Sequence, residues 1–108
     1  NLMKINDTTE GDLPRFSKVK HPRTGIGFSK DSTLIYFITV DGRQESSSGI
    51  TLMEFADLMI EEGIYQGLNL DGGGSTTMVV NNKVVNSPSD KTGERKVGNC
   101  IVLIRKQP

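Results

Sequence analysis

A single cysteine in 108 residues leaves the chain unable to close a disulfide on itself or to build a zinc site of the multi-cysteine kind. That residue, Cys100, opens the apolar run Cys100-Ile101-Val102-Leu103-Ile104, where it reads as a small buried hydrophobe rather than a reactive thiol. No apolar stretch approaches the ~20 residues that a membrane-crossing helix needs, and the start Asn1-Leu2-Met3-Lys4 has no signal-peptide core, so membrane insertion is not expected. Nor is there an excess of either charge: 13 basic residues balance 13 acidic ones, which excludes a global field that would draw the chain onto nucleic acid. The one histidine, His21, has no partner at metal-ligand spacing and reads as solvent-exposed. A first residue other than methionine suggests a processed or excised piece, and no internal repeat is visible.

What remains is enough for one folded domain. Hydrophobic residues make up 34% of the chain, and the 12 glycines bring the apolar share near the ordinary globular range, with room for one modest core. Residues 1–22 are polar, contain two prolines and show no sustained period, so they read as an arm or linker leading into a domain over 23–108. Two β-rich segments, 25–29 and 34–40, flank a polar turn of hairpin length. The second is nearly continuous in apolar character, as expected of a central strand covered on both faces. Thr51 and Glu54 stand at capping-box spacing, and apolar residues then recur at helical intervals. A helix over about 52–62 follows, ended by Gly63. Short strands are expected over 67–70 and 76–80, then a tight Asn81-Asn82 turn into 83–86, and a last strand over 97–105. The fold class is therefore α+β: a largely antiparallel or mixed sheet with one main helix packed on one face.

Three polar segments interrupt this pattern. Asn69-Leu70-Asp71-Gly72-Gly73-Gly74-Ser75-Thr76-Thr77 places three glycines in a row, which costs backbone entropy and calls for a compensating use. One reading is an anion-binding nest of glycine amides beside the Asp71 carboxylate, with hydroxyls from Ser75, Thr76 and Thr77. The other is a loose hairpin turn whose aspartate bonds its own backbone. A nucleotide phosphate loop is excluded, since no Gly-Lys-Ser/Thr ending and no helical period follow. Asp41-Gly42-Arg43-Gln44 reads either as a binding turn, with Arg43 for phosphate or carboxylate and Gln44 for sugar hydroxyls, or as a turn with a solvated arginine. The loop 86–95 is long enough to be functional, although Glu94 and Arg95 also fit an ordinary surface ion pair. Asp41, Asp71, Asp90 and Glu94 are candidate oxygen ligands for calcium or magnesium, at no spacing that matches a known calcium loop, and no cofactor is expected.

In order along the chain stand Arg23-Thr24-Gly25-Ile26-Gly27, Val40-Asp41-Gly42-Arg43-Gln44, Ser48-Gly49-Ile50-Thr51-Leu52, Asn69-Leu70-Asp71-Gly72-Gly73-Gly74-Ser75, Asn86-Ser87-Pro88-Ser89-Asp90 and Gly93-Glu94-Arg95. This series closely resembles the phosphodiester glycosidase domain family, over residues 23 to about 105. The resemblance implies that the three clusters converge on one pocket that cleaves sugar-1-phosphodiester linkages in surface or secreted glycans. Asp71 would be the first candidate for catalytic carboxylate and Glu94 the second. Arg43 and Arg95 would hold the phosphate, while Gln44, Gly73, Gly74, Ser75, Thr76 and Asp90 would line the substrate site; no metal ligand is assigned, and metal use stays open. Complete domains of this family carry a further N-terminal portion with an Asn-Gly-Gly motif, which has no counterpart between Asn1 and His21. The resemblance therefore leaves two functions open: the hydrolase, and a catalytically reduced glycan-binding or oligomerisation module at the end of a phage tail or cell-surface protein. It also implies an extracellular, cell-surface or virion-associated setting; the missing portion leaves open a dimer or trimer whose copies complete one another, completion by a different chain, or a trimmed module.

Overall fold

A computed structural model describes residues 18–107, so most of the expected arm lies outside the described residues. The sheet grows from strand β1, Arg23–Phe28, which pairs antiparallel with β2, Ile35–Val40, on one side and with β3, Gln66–Asn69, on the other. The β1–β2 hairpin has an unbroken register from Arg23↔Val40 to Phe28↔Ile35. Its turn is set by Asp31, whose Oδ1 accepts hydrogen bonds from the Ser29 hydroxyl and from both the amide and the hydroxyl of Thr33. Those three bonds hold the Asp31 carboxyl below its ordinary pKa.

Helix α1, Leu52–Glu61, starts and stops where its sequence dictates. The Thr51 hydroxyl accepts from the Glu54 amide and the Glu54 carboxylate accepts from the Thr51 amide, each at 3.1 Å, closing the capping box. At the other end Gly63 takes φ +96°, its amide donates to Ile60 and the Ile64 amide donates to Met59, which is the Schellman arrangement. Between these ends Leu52, Phe55, Ala56 and Met59 are buried against the sheet. They fit because the facing strand positions carry no side chain. A Cβ on Gly25 would meet the Phe55 ring at 2.8 Å, and one on Gly67 would meet the Met59 methyl at 2.7 Å. The core is therefore a helix stripe seated on glycine backbone, closed by Ile64 and flanked by Tyr36, Ile38 and Val40.

After β3 the chain makes the glycine turn, with a short 3-10 segment at Gly73–Ser75. It then forms a small hairpin of β4, Val79–Val80, and β5, Lys83–Val84, through Asn81 and Asn82, both in the left-handed region. One side chain ties this hairpin to the sheet. Asn86 accepts from the Met78 amide at 2.7 Å and donates both to the Thr76 carbonyl and to the Asp41 carboxylate at the end of β2.

The α+β class with antiparallel sheets and one main helix is as the sequence implied, and several details are corrected. Residues 34–40 do not form the central strand. β2 is an edge of the described sheet, Leu34 is 55% exposed, and the central place belongs to β1, which pairs on both sides. The strand expected over 76–80 shrinks to two residues because the Thr76 carbonyl and Met78 amide are taken by the Asn86 side chain. No strand forms over 97–105, which pairs with nothing among the described residues; Ile104 is 82% exposed and Cys100 is exposed rather than buried. An apolar run becomes a strand only when a ladder partner is within reach.

Because Asn86 satisfies one donor and two acceptors from two segments, Asn86→Ala is expected to cost about 2–3 kcal/mol in urea unfolding and to release the loop that follows it.

Candidate active site

The elements above bring four turns to one end of the sheet. They enclose an open cleft of about 250 Å³, lined by His21 and Pro22 before β1, Arg23 at its start, Arg43 after β2, Asn69 at the end of β3, Leu70 through Gly74 after it, and Arg95. Its floor is the glycine turn. The Leu70 amide donates to Thr24 at 2.8 Å and the Gly73 amide donates to Pro22 at 3.0 Å, so the turn is laced to the strand beside it. A Cβ on Gly72 would meet the Pro22 carbonyl oxygen at 2.6 Å.

Above this floor lie two guanidiniums. A Cβ on Gly73 would meet the Arg43 guanidinium at 3.1 Å, and one on Gly74 would meet the Arg95 Cζ at 2.6 Å. The glycines thus let two arginine side chains rest on bare backbone. Of the three glycine amides in the nest reading, that of Gly73 is committed within the protein. The Gly73 amide is spent on Pro22, and the Ser75 and Thr76 amides donate to the carbonyls of Gly72 and Gly73. Close approach is needed, but by arginine side chains.

Each arginine is presented differently. Arg43 sits at φ +54° in the left-handed region, which is costly for a residue with a Cβ. That backbone is fixed by the Ser47 hydroxyl, which donates to the Asp41 carbonyl, and by the reciprocal amide–carbonyl bonds of Gln44 and Ser47. Strained residues held by surrounding structure concentrate at functional sites. Arg95 is oriented by Asp90, whose carboxylate accepts from Nε at 2.8 Å, a bond that also holds the Asp90 carboxyl below its ordinary pKa. A third arginine, Arg23, is only 2% exposed and donates to the carbonyls of Ile50 and Val19. Burial and then the charge of Arg43 lower its pKa, yet a guanidinium stays protonated.

Against these cations the lining holds one carboxylate, Asp71, which is exposed at the cleft mouth and makes no hydrogen bond or ion pair among the described residues. The described lining thus sets three arginines against one carboxylate, an excess of positive charge in a chain that is neutral as a whole. Asn69 Oδ1 is buried beside it without a hydrogen-bond partner among the described residues, as is Thr77 Oγ1.

Of the residues singled out from sequence, Asp71, Arg43, Gly73, Gly74 and Arg95 meet in the cleft. The others do not line it. Gln44 is clamped to Ser87, donating to its carbonyl at 2.6 Å and accepting from its hydroxyl at 2.7 Å. Thr76 is buried, with its hydroxyl bonded to that of Thr24, and Ser75 lies beyond the floor. Asp90 aims Arg95, and Glu94 is exposed outside the cleft. Among the described residues no three of His, Cys, Asp or Glu gather as metal ligands: Asp41 is engaged by Asn86 and Ser87, and Asp90 by Arg95. The sequence reading missed His21, Arg23 and Asn69 as lining residues. His21 is not a free surface residue: its Nδ1 lies 3.0 Å from Arg43 Nη2. Its position immediately before the Arg23 motif was the available signal.

The phosphodiester glycosidase family model matches residues 3–104, and the chain belongs to that family. It is 47% identical over 96 residues to the SPbeta prophage-derived uncharacterized protein YomE of Bacillus subtilis (strain 168), covering 89% of this chain and 14% of that protein. Against the human N-acetylglucosamine-1-phosphodiester alpha-N-acetylglucosaminidase it is 38% identical over 88 residues, covering 81% of this chain and 17% of the enzyme. Among solved structures, the catalytic domain of the zebrafish N-acetylglucosamine-1-phosphodiester alpha-N-acetylglucosaminidase, auto-inhibited by its pro-peptide, superposes with a TM-score of 0.65 at 36% identity, covering 77% of this chain and 27% of that one. The chain thus spans under a fifth of these two curated relatives and about a quarter of the solved domain. At family level, these relatives support a phosphodiester glycosidase type of function.

Gly74→Ala tests the role of the floor. The new methyl meets only the far end of Arg95, so the expected result is an unchanged unfolding midpoint together with about tenfold weaker binding of a sugar-1-phosphate by calorimetry.

Proposed function

We propose that the cleft binds the phosphate of a glycosyl phosphodiester between Arg43 and Arg95 and that Asp71 is the carboxylate serving the anomeric carbon. The single observation that supports this most is the pair of guanidiniums over side-chain-free backbone, in the same cleft as a carboxylate that has no partner among the described residues. Hydrolysis of such a linkage breaks the bond between the anomeric carbon and a phosphate oxygen. The sugar gains a hydroxyl from water, and the phosphate leaves as a monoester. Charge builds on the departing oxygen, where two fixed guanidiniums stabilise it, and positive charge develops at the anomeric carbon, where a carboxylate is needed. A phosphate is already a good leaving group, so stabilising the anion outweighs strong general-acid help, and one carboxylate in the lining suffices for this division of labour.

On this reading the ligand is a surface or secreted glycan carrying a sugar-1-phosphodiester, and the setting is extracellular, cell-surface or virion-associated. The prophage origin of YomE and the phosphodiester named for the human relative support it. Residues 23–108 are the unit that carries the cleft, with 1–22 leading into it. A second reading, a binding module assembled from two or three copies, is favoured by one observation. Phe28, Ile35, Phe37 and Leu68 are exposed on the sheet, and the 101–104 segment is exposed as well.

Incubation with a chromogenic glycosyl phosphodiester separates the two. Turnover that falls at least about 100-fold in Asp71→Asn, with sugar-phosphate affinity retained, supports the hydrolase. Turnover that survives the substitution removes Asp71 from the chemistry. No release by the wild-type chain, together with a dimer or trimer mass in solution, leaves the binding module.

A further inference from the structure

We infer that His21 is the positioning residue of this cleft: a neutral imidazole that accepts a hydrogen bond from Arg43, holds its guanidinium over Gly73, and releases it on taking up a proton. The inference deepens the phosphodiester reading and rests on it for the ligand, though the contact itself stands apart from any ligand.

A guanidinium has donors and no acceptor. The 3.0 Å contact between Arg43 Nη2 and His21 Nδ1 therefore fixes the tautomer: Nδ1 accepts, and the proton of the neutral ring is on Nε2. An imidazolium donates from both nitrogens, so the contact cannot survive protonation. This is the one hydrogen bond that the Arg43 side chain makes among the described residues, and Arg43 is otherwise exposed on a long, rotatable stem. Without the acceptor, nothing described here keeps the guanidinium over the floor.

The imidazole is itself well anchored. The His21 amide donates to the Ile50 carbonyl and its carbonyl accepts from the Ile50 amide, both at 3.2 Å. Gly49, at φ +91°, packs so closely on the His21 backbone that a Cβ there would collide with it. Backbone bridge and glycine contact place the ring, and the ring places Arg43.

Among the described residues, the charged groups that share the cleft with this ring are Arg43 from the turn after β2, Arg23 from β1, Arg95 from the 90–95 loop and Asp71 from the glycine turn. Cations outnumber the anion. Partial burial, then Arg43, then Arg23 keep the imidazole pKa below its ordinary 6.5, so the ring is neutral at pH 7. The sign of the consequence follows. Affinity that depends on the accepted bond is complete above the imidazole pKa and is lost as pH falls through it. A histidine that contacted the phosphate directly as a cation would give the opposite trend.

Since His21 is the only histidine, its ring can be followed alone by NMR. In the wild type the expected nitrogen spectrum at pH 7.5 shows a proton-free Nδ1 and a protonated Nε2, with a titration midpoint below 6.5. Arg43→Met should raise the midpoint and relax the tautomer preference. The probe for binding is a hexose-1-(methyl phosphate), whose diester stays a monoanion throughout the titration. Wild-type affinity should fall about tenfold on the acid side, the loss of one hydrogen bond to a charged group. His21→Asn, which keeps an acceptor near Nδ1 and does not titrate, should bind within about threefold of wild type with a flat profile. His21→Ala should be about tenfold weaker and equally flat. An Nδ1-protonated tautomer in the wild type, affinity that rises on acidification, or a His21→Asn variant that keeps the wild-type pH profile would overturn the inference. Absence of diester binding at every pH sinks the phosphodiester reading, while the tautomer and midpoint still decide the His21–Arg43 contact.

Discussion

Backbone that must be approached closely is the constraint from which the rest of this molecule follows. Twice, glycine positions remove the Cβ layer that would keep neighbouring groups apart. On the sheet, Gly25 and Gly67 admit Phe55 and Met59 from the helix; at the end of the sheet, Gly73 and Gly74 admit the Arg43 and Arg95 guanidiniums. The first approach makes the core and the second makes the cleft. They are linked, because the glycine turn continues directly from β3 and is laced to β1 through Leu70, Thr24, Gly73 and Pro22. Substitution at the core glycines drives a methyl into the helix stripe, whereas substitution at Gly74 meets only the tip of a flexible side chain.

Local signals in the sequence were readable where a short stretch decides its own conformation. The Thr51 and Glu54 spacing gave the helix start, Gly63 its end, and Asn81-Asn82 the tight turn, because caps and turns are closed by residues a few positions apart. The errors lie where a partner far along the chain decides. Residues 34–40 have the composition of a covered strand yet lie at a sheet edge, and 97–105 has the composition of a strand yet pairs with nothing described. β propensity reports fitness for a pleated, half-buried surface and is silent on whether the neighbouring strand exists. The chain covers 27% of the solved zebrafish catalytic domain, and these exposed apolar positions lie in the part of the fold described.

The site was legible by residue type more than by role. Arginine and aspartate among glycines marked residues that the fold gathers, since Asp71, Arg43, Gly73, Gly74 and Arg95 line one cleft. Other polar residues named from the sequence are engaged by the protein itself. Gln44 clamps Ser87 and Asp90 aims Arg95; the first of these pairs, 43 positions apart, is invisible until the fold brings it together. His21 failed in the opposite direction. It looked idle because Arg43 is 22 residues away, and the Ile50 bridge with the Gly49 contact brings the ring to it.

The most direct test of the two-arginine cleft is a crystal structure of the chain with a glycosyl methylphosphonate, in which a carbon replaces the scissile oxygen so that the sugar cannot be released. The account predicts the phosphonate oxygens bonded to the Arg43 and Arg95 guanidiniums above Gly73 and Gly74, with the Asp71 carboxylate the nearest acidic group to the anomeric position. A phosphonate held elsewhere, or a sugar bound with its phosphonate turned away from both arginines, would contradict it.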